Sequence, residues 1–286
     1  MSEPSIFVDS ITYSYGKQQA VRGISFDVAP GEILGFLGPN GAGKSTTIKM
    51  LIGQLIPDAG TIRILGTPIK GHNSEIHRRM GVCFEEKNLY LQMSGKENLE
   101  FFARLYGLKH PETDKILQQV DLWNRAKDRV SSYSKGMRQR LMIARALLHD
   151  PEVLFLDEPT DGLDPVSSKA IRDIITQRAQ EGTAVLLTTH DMYEADKLSD
   201  RVAFINEGKI YALDTPENLK QSHGKRTASV RIQRGEEILE TIIPLDDEAA
   251  ALKLRDSMSE GRVLTIHTEE ATLEDIFISM TGRTLQ

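Results

Sequence analysis

The residues with the most chemical content lie at two places in this 286-residue chain. The run Gly38-Pro39-Asn40-Gly41-Ala42-Gly43-Lys44-Ser45-Thr46 spells G-x-x-x-x-G-K-[ST]. Glycines at that spacing let successive backbone N–H groups turn toward an anion, and a helix opening behind them adds the positive end of its dipole. Lys44 is expected to reach the terminal phosphates of a nucleotide and to meet no core, while the Ser45 hydroxyl serves Mg²⁺. A glycine-rich turn without a ligand is the plainer reading. The context argues against it, because the motif follows an apolar run, Ile33 to Leu37, and precedes a helical one, Lys44 to Gln54. The second place is Val153-Leu154-Phe155-Leu156-Asp157-Glu158, an apolar strand ending in two carboxylates. That is the edge where open α/β sheets bind ligands. Asp157 suits Mg²⁺ held through water, and Glu158 suits activation of an attacking water.

These residues need a scaffold, and the hydrophobic pattern supplies one. Continuous apolar runs at Ile33–Leu37, Val153–Leu156 and Ala184–Thr188 predict strands buried on both faces. Alternation over residues 6–13 and 21–28 predicts strands with one wet face, Thr61 to Leu65 another, and Arg201–Ile205 with Lys209–Leu213 a hairpin about Glu207-Gly208. Helical spacing prevails from about Asn88 to Leu148, an all-helical insertion into the α/β core. Asp164-Pro165 predicts a helix start, with a carboxylate cap and proline in the first turn, running to Gly182. A polar stretch from Leu219 to Thr227 reads as a linker. Beyond it come strands at 228–232, 238–243 and 263–268 and helices at 247–258 and 273–280, with Thr272 and Asp275 placed as a capping box.

Composition narrows the setting. The formal net charge of −6 carries no polyanion-binding signature, so no nucleic-acid partner is expected. The one cysteine, Cys83, excludes an internal disulfide and reads as a small buried hydrophobe. No secretion signal and no apolar run long enough to span a bilayer is visible, so work on a membrane requires another chain.

With Tyr133-Ser134-Lys135-Gly136-Met137 ahead of the acidic strand and Pro159-Thr160-Asp161-Gly162-Leu163-Asp164 after it, residues 5–218 resemble the ABC ATPase family. The resemblance implies an α/β fold: a P-loop ABC ATPase core with an antiparallel β subdomain and a helical subdomain. It places the ATPase domain at 1–220, the helical subdomain at about 88–150, and a small α+β accessory domain at 221–286. It implies ATP and Mg²⁺ as cofactors and an ATP-closed dimer, homomeric or heteromeric, whose sites borrow Ser134 and Gly136 from the opposite subunit. Tyr15 takes the family's adenine-stacking position, with Tyr13 as its rival. Asp164 falls in the loop that crosses the dimer, and His190 matches the switch histidine beside the γ-phosphate. Glu85 stands where the family has glutamine, and an acid there could ligate Mg²⁺. The tail, from Ala271-Thr272-Leu273 to Thr281-Gly282-Arg283, looks like that of exporters pairing with separate ABC-2-type permeases. The implied location is the cytoplasmic face of the membrane, with Lys87, Asn88, Leu89 and Tyr90 as permease contacts. A soluble ABC ATPase of translation or DNA maintenance is the alternative. Such proteins usually carry two ATPase domains or long coiled coils, and this chain has neither.

Overall fold

A computed structural model describes residues 3–84, 88–224, 227–235, 237–245, 247, 249–269 and 271–282. They divide into two compact units, which part between Leu213 and Asp214. The first unit holds β1 (Ile6–Tyr15), β2 (Gln18–Val28), β3 (Ile33–Leu37), α1 (Lys44–Leu51), β4 (Ala59–Ile64), β5 (Thr67–Pro68), α2 (Ser74–His77) and β6 (Met80–Cys83). It continues with α3 (Gly95–Leu105), α4 (Thr113–Gln119), α5 (Lys135–Leu147), β7 (Val153–Asp157), α6 (Pro165–Gln180), β8 (Ala184–Thr189), α7 (Met192–Leu198), β9 (Arg201–Asn206) and β10 (Lys209–Asp214).

The central sheet has the order β10-β9-β3-β8-β7-β6, and the pairs β9–β3, β3–β8, β8–β7 and β7–β6 are parallel. Every residue of β3, β7 and β8 is buried, which is why their sequences run apolar without alternation. Alternate side chains still go to opposite faces. Phe155 and Leu186 join a core shared with the antiparallel sheet β2-β1-β4-β5, through Ile6, Val8 and Ile62. Leu154, Leu156 and Leu187 join a second core built with the helical insertion, through Leu99, Leu117 and Leu141. The sheet is therefore clamped on both faces. Its register sets Leu37 beside Thr189 and Asp157 beside Thr188, so three strands end at one level.

The helical insertion is built from α3, α4 and α5, as the sequence spacing implies. Its first helix is fixed by a capping box: Glu97 N–H donates to Ser94 Oγ at 3.2 Å, and Ser94 N–H donates to the Glu97 carboxylate at 2.7 Å. That backbone donor holds the Glu97 carboxyl below its usual range.

The second unit contains α8 (Pro216–His223), β11 (Thr227–Arg234), β12 (Glu237–Pro244), α9 (Ala250–Ser259), β13 (Arg262–Glu269) and α10 (Leu273–Thr281). Its antiparallel sheet has the order β12-β11-β13, and α9 covers Val230, Ile232 and Ile243. The Thr272–Asp275 capping box is present in both directions. The stretch expected to be a linker is mostly α8, which runs to His223 and packs with α10. Its start signal was local: Thr215 Oγ1 accepts the Asn218 N–H at 3.1 Å, and Pro216 opens the first turn.

Candidate active site

The loop between β3 and α1 has room for backbone only. A Cβ on Gly38 would stand 2.0 Å from the Ile205 carbonyl oxygen. Gly43 has φ of +107°, and a Cβ there would lie 2.7 Å from the Ala20 carbonyl oxygen. Such close approach and a left-handed φ demand glycine. No side chain caps α1, so the N–H groups of its first turn face the loop with the helix dipole behind them. Gly41 and Asn40 are exposed, Ala42 and Gly38 buried, and Pro39, Ser45 and Thr46 half-buried. A negatively charged group suits this cradle.

Lys44 is almost wholly buried. Its ammonium donates to the Gly38 carbonyl oxygen at 2.5 Å and lies 3.1 Å from Glu158 Oε1, with both side chains less than a tenth exposed. The expectation that Lys44 meets no core is thus corrected: it is half of a buried ion pair, brought together because β3 and β7 both flank β8. The contact has no hydrogen-bond direction, so Glu158 Oε1 is buried without a hydrogen-bond donor. Glu158 Oε2 is better served, accepting from His190 Nδ1 at 3.0 Å and from the His190 backbone N–H at 3.3 Å.

Thr188 organises the two carboxylates. Its hydroxyl donates to Asp157 Oδ1 at 2.5 Å and accepts the Glu158 N–H at 3.2 Å, while its carbonyl accepts the same N–H at 3.1 Å. These bonds hold Glu158 at a φ of +49°, a backbone setting uncommon for a side-chain-bearing residue. Thr188 is not among the residues that the sequence marks, since a threonine ending a buried strand carries no motif. Its one signal is a buried hydroxyl that needs a partner.

Lys44, Asp157, Glu158 and His190 therefore converge at the ends of β3, β7 and β8. Ser134 and Gly136 make their contacts elsewhere. Ser134 caps α5, accepting the Met137 N–H at 3.2 Å, and is exposed. Gly136 is buried against Ser167, whose Oγ would stand 2.4 Å from an added Cβ. Asp164 caps α6, accepting the Val166 and Ser167 N–H groups at 3.1 and 3.0 Å. The Ser167 hydroxyl, with those backbone donors, holds its carboxyl below the usual range. Tyr15 is half exposed, while Tyr13 packs partly into the core, their rings edge to face at 4.9 Å. Glu85 and Lys87 lie outside the described residues. Cys83 is fully buried.

Residues 21–161 match the family model described as "ABC transporter". Among curated proteins, the chain is 44% identical to a fluoroquinolones export ATP-binding protein of Mycobacterium tuberculosis, over 98% of this chain and 94% of that one. It is 37% identical to the Nod factor export ATP-binding protein I of Paraburkholderia xenovorans, over the full length of both. It is 35% identical to the linearmycin resistance ATP-binding protein of Bacillus subtilis, over 97% of this chain and 98% of that one. Among solved structures, an ATP-binding subunit of an ABC transporter superposes with a TM-score of 0.68 at 30% identity, covering 76% of this chain and 92% of its own. A subunit of the cbiONQ ABC transporter complex of Clostridium perfringens gives 0.70 at 27% identity, covering 77% and 92%.

Proposed function

The chain belongs to the ABC transporter family of ATP-hydrolysing subunits, and from that premise we propose that it powers export through a separate ABC-2-type permease at the cytoplasmic face of the membrane. The observation that carries the reading is the convergence of Lys44, Asp157, Glu158 and His190 on three neighbouring strand ends beside an uncapped helix. Gly38 to Thr46 would hold the phosphates of ATP, with Tyr15 free to stack on the base. Phosphate oxygens and the Glu158 carboxylate would compete for the one Lys44 ammonium. Ser45 and Asp157 would hold Mg²⁺, which uses few protein ligands and neutralises phosphate charge when bound. Glu158 Oε1, released as the Lys44 ammonium turns to phosphate, could then accept a proton from an attacking water. His190 fixes the other carboxylate oxygen, and the loop of exposed Ser134 and buried Gly136 would complete the site of a second copy.

Export is the function in the names of the relatives, and no helix among the described residues is long and apolar enough to cross a membrane. The transporting path then belongs to a partner. A groove of about 810 Å³ between the core sheet and the helical insertion offers a seat for it. Phe84, Leu89, Tyr90, Phe102 and Tyr106 line the groove, and the Arg145 guanidinium lies 4.6 Å above the Phe102 ring. Such a surface fits an amphipathic helical segment of the permease. Affinity purification of the tagged chain from membranes tests the assignment. A co-purifying integral-membrane protein with about six apolar spans of some 20 residues is the expected result. Recovery with ribosomes or DNA and without a membrane protein would overturn it.

A further inference from the structure

We propose that Lys135 and Asp161 are positioning residues that tie the loop offered to a partner's nucleotide to this chain's own hydrolytic carboxylate. The inference rests on the composite site described above and adds a means of communication within each chain.

Asp161 follows Glu158 in a turn, with its N–H donating to the Glu158 carbonyl oxygen at 3.3 Å. Its two carboxylate oxygens face different ways. Oδ2 lies 3.7 Å from the Lys135 ammonium, and Oδ1 lies 3.9 Å from His190 Nε2. On its other side His190 holds Glu158 Oε2 at 3.0 Å, and Glu158 Oε1 faces Lys44 at 3.1 Å. An unbroken series of groups therefore runs from Lys135 through Asp161, His190 and Glu158 to Lys44. Both contacts of Asp161 are too long for hydrogen bonds; the one to Lys135 acts as a charge attraction, and the one to His190 does so when the imidazole is protonated.

Sterics hold this series in place. Lys135 Nζ sits where a Cβ on Gly162 would come within 2.0 Å, and Gly136 packs as closely on Ser167. The first turn of α5 and the 161–167 loop are thus seated on one another at two points. Ser134 and Gly136, the groups that would touch the partner's phosphate, flank Lys135 directly. A shift of that turn carries the Lys135 charge with it, and Asp161 passes the change to the histidine that holds Glu158. The plain alternative is that Lys135 and Asp161 are solvated surface charges, since their side chains are 47% and 43% exposed. Exposure also limits the effect, because a half-exposed pair couples by no more than about fivefold.

A double-mutant cycle on the full chain separates the two cases. Lys135→Met keeps the stem over Gly162 and removes the charge, while Asp161→Asn keeps the shape. Each is expected to lower kcat about three- to fivefold, with KM for ATP unchanged and the double variant no slower than the slower single. Asp161→Glu, which restores the charge, should return kcat to within about twofold of the unmodified chain. Effects that multiply in the double variant, singles that leave kcat untouched, or a Glu variant as slow as the Asn one would overturn the proposal. An unmodified chain that does not hydrolyse ATP would instead defeat the functional reading beneath it.

Discussion

Lys44 and Glu158 meet where each side chain is less than a tenth exposed, whereas Ser134 and Asp164 stand in solvent and bond chiefly to their own helix starts. The first region is over-determined: three buried strands, a glycine loop and the Thr188 bonds leave its groups one arrangement. The second consists of two capped helix openings, α5 and α6, locked to each other and turned outward. Burial suits groups whose charges must act in low dielectric, where attraction is strong and water is excluded. Exposure suits groups that wait for another molecule.

That contrast breaks most clearly at Glu158. Glu158→Gln keeps shape and cannot take a proton, so kcat should fall by at least about a hundredfold while ATP still binds. A steady-state ATPase assay with a nucleotide-binding titration reads both. Lys44→Met should abolish turnover as well, and burial adds a second effect. Removing one member of a buried pair leaves its partner uncompensated, at a cost of up to about 3–5 kcal/mol. The His190 bonds to Glu158 soften this. Thermal melting should show a lowered Tm for Lys44→Met and recovery in the Lys44→Met/Glu158→Gln double variant; an unchanged Tm in the single would mean that the pair does not stabilise the fold.

The exposed side should respond mainly in binding, with at most a modest effect on folding. Tyr15→Ala is expected to weaken ATP binding by about 1–3 kcal/mol, the range for base–aromatic stacking, at an unchanged Tm. Tyr13→Ala should do the reverse, lowering Tm more than affinity, because Tyr13 packs against the core. The smallest effect belongs to Asp164. Its folded carboxyl titrates lower than in the unfolded chain, so its stabilisation is fully present above the ordinary aspartate value near ~3.9 and disappears as pH falls through the lower folded value. The Tm difference between the unmodified chain and Asp164→Ala should therefore be modest at neutral pH and vanish in strong acid.

Legibility in the sequence followed the same division between local and assembled features. The glycine loop, the acidic strand end, the Asp164-Pro165 start and the Thr272–Asp275 box were readable because each is decided within a few residues. The Lys44–Glu158 pair was not, since it depends on β3 and β7 flanking the same strand. Thr188 was passed over because its role exists only beside Asp157. The helix α8 was mistaken for a linker on its polar composition, although Thr215 and Pro216 marked its start. The Lys135–Asp161 contact lies between two motifs that each looked complete alone.

The central claim is that the buried half and the exposed half come from different chains when ATP is bound. Gel filtration with light scattering on the Glu158→Gln chain tests it most directly, with ATP and Mg²⁺ in the running buffer. The account predicts a dimer with ATP and a monomer with ADP, and a return to monomer when Ser134→Arg is added to the same chain. A Glu158→Gln chain that stays monomeric in ATP, or a dimer indifferent to Ser134, would contradict it.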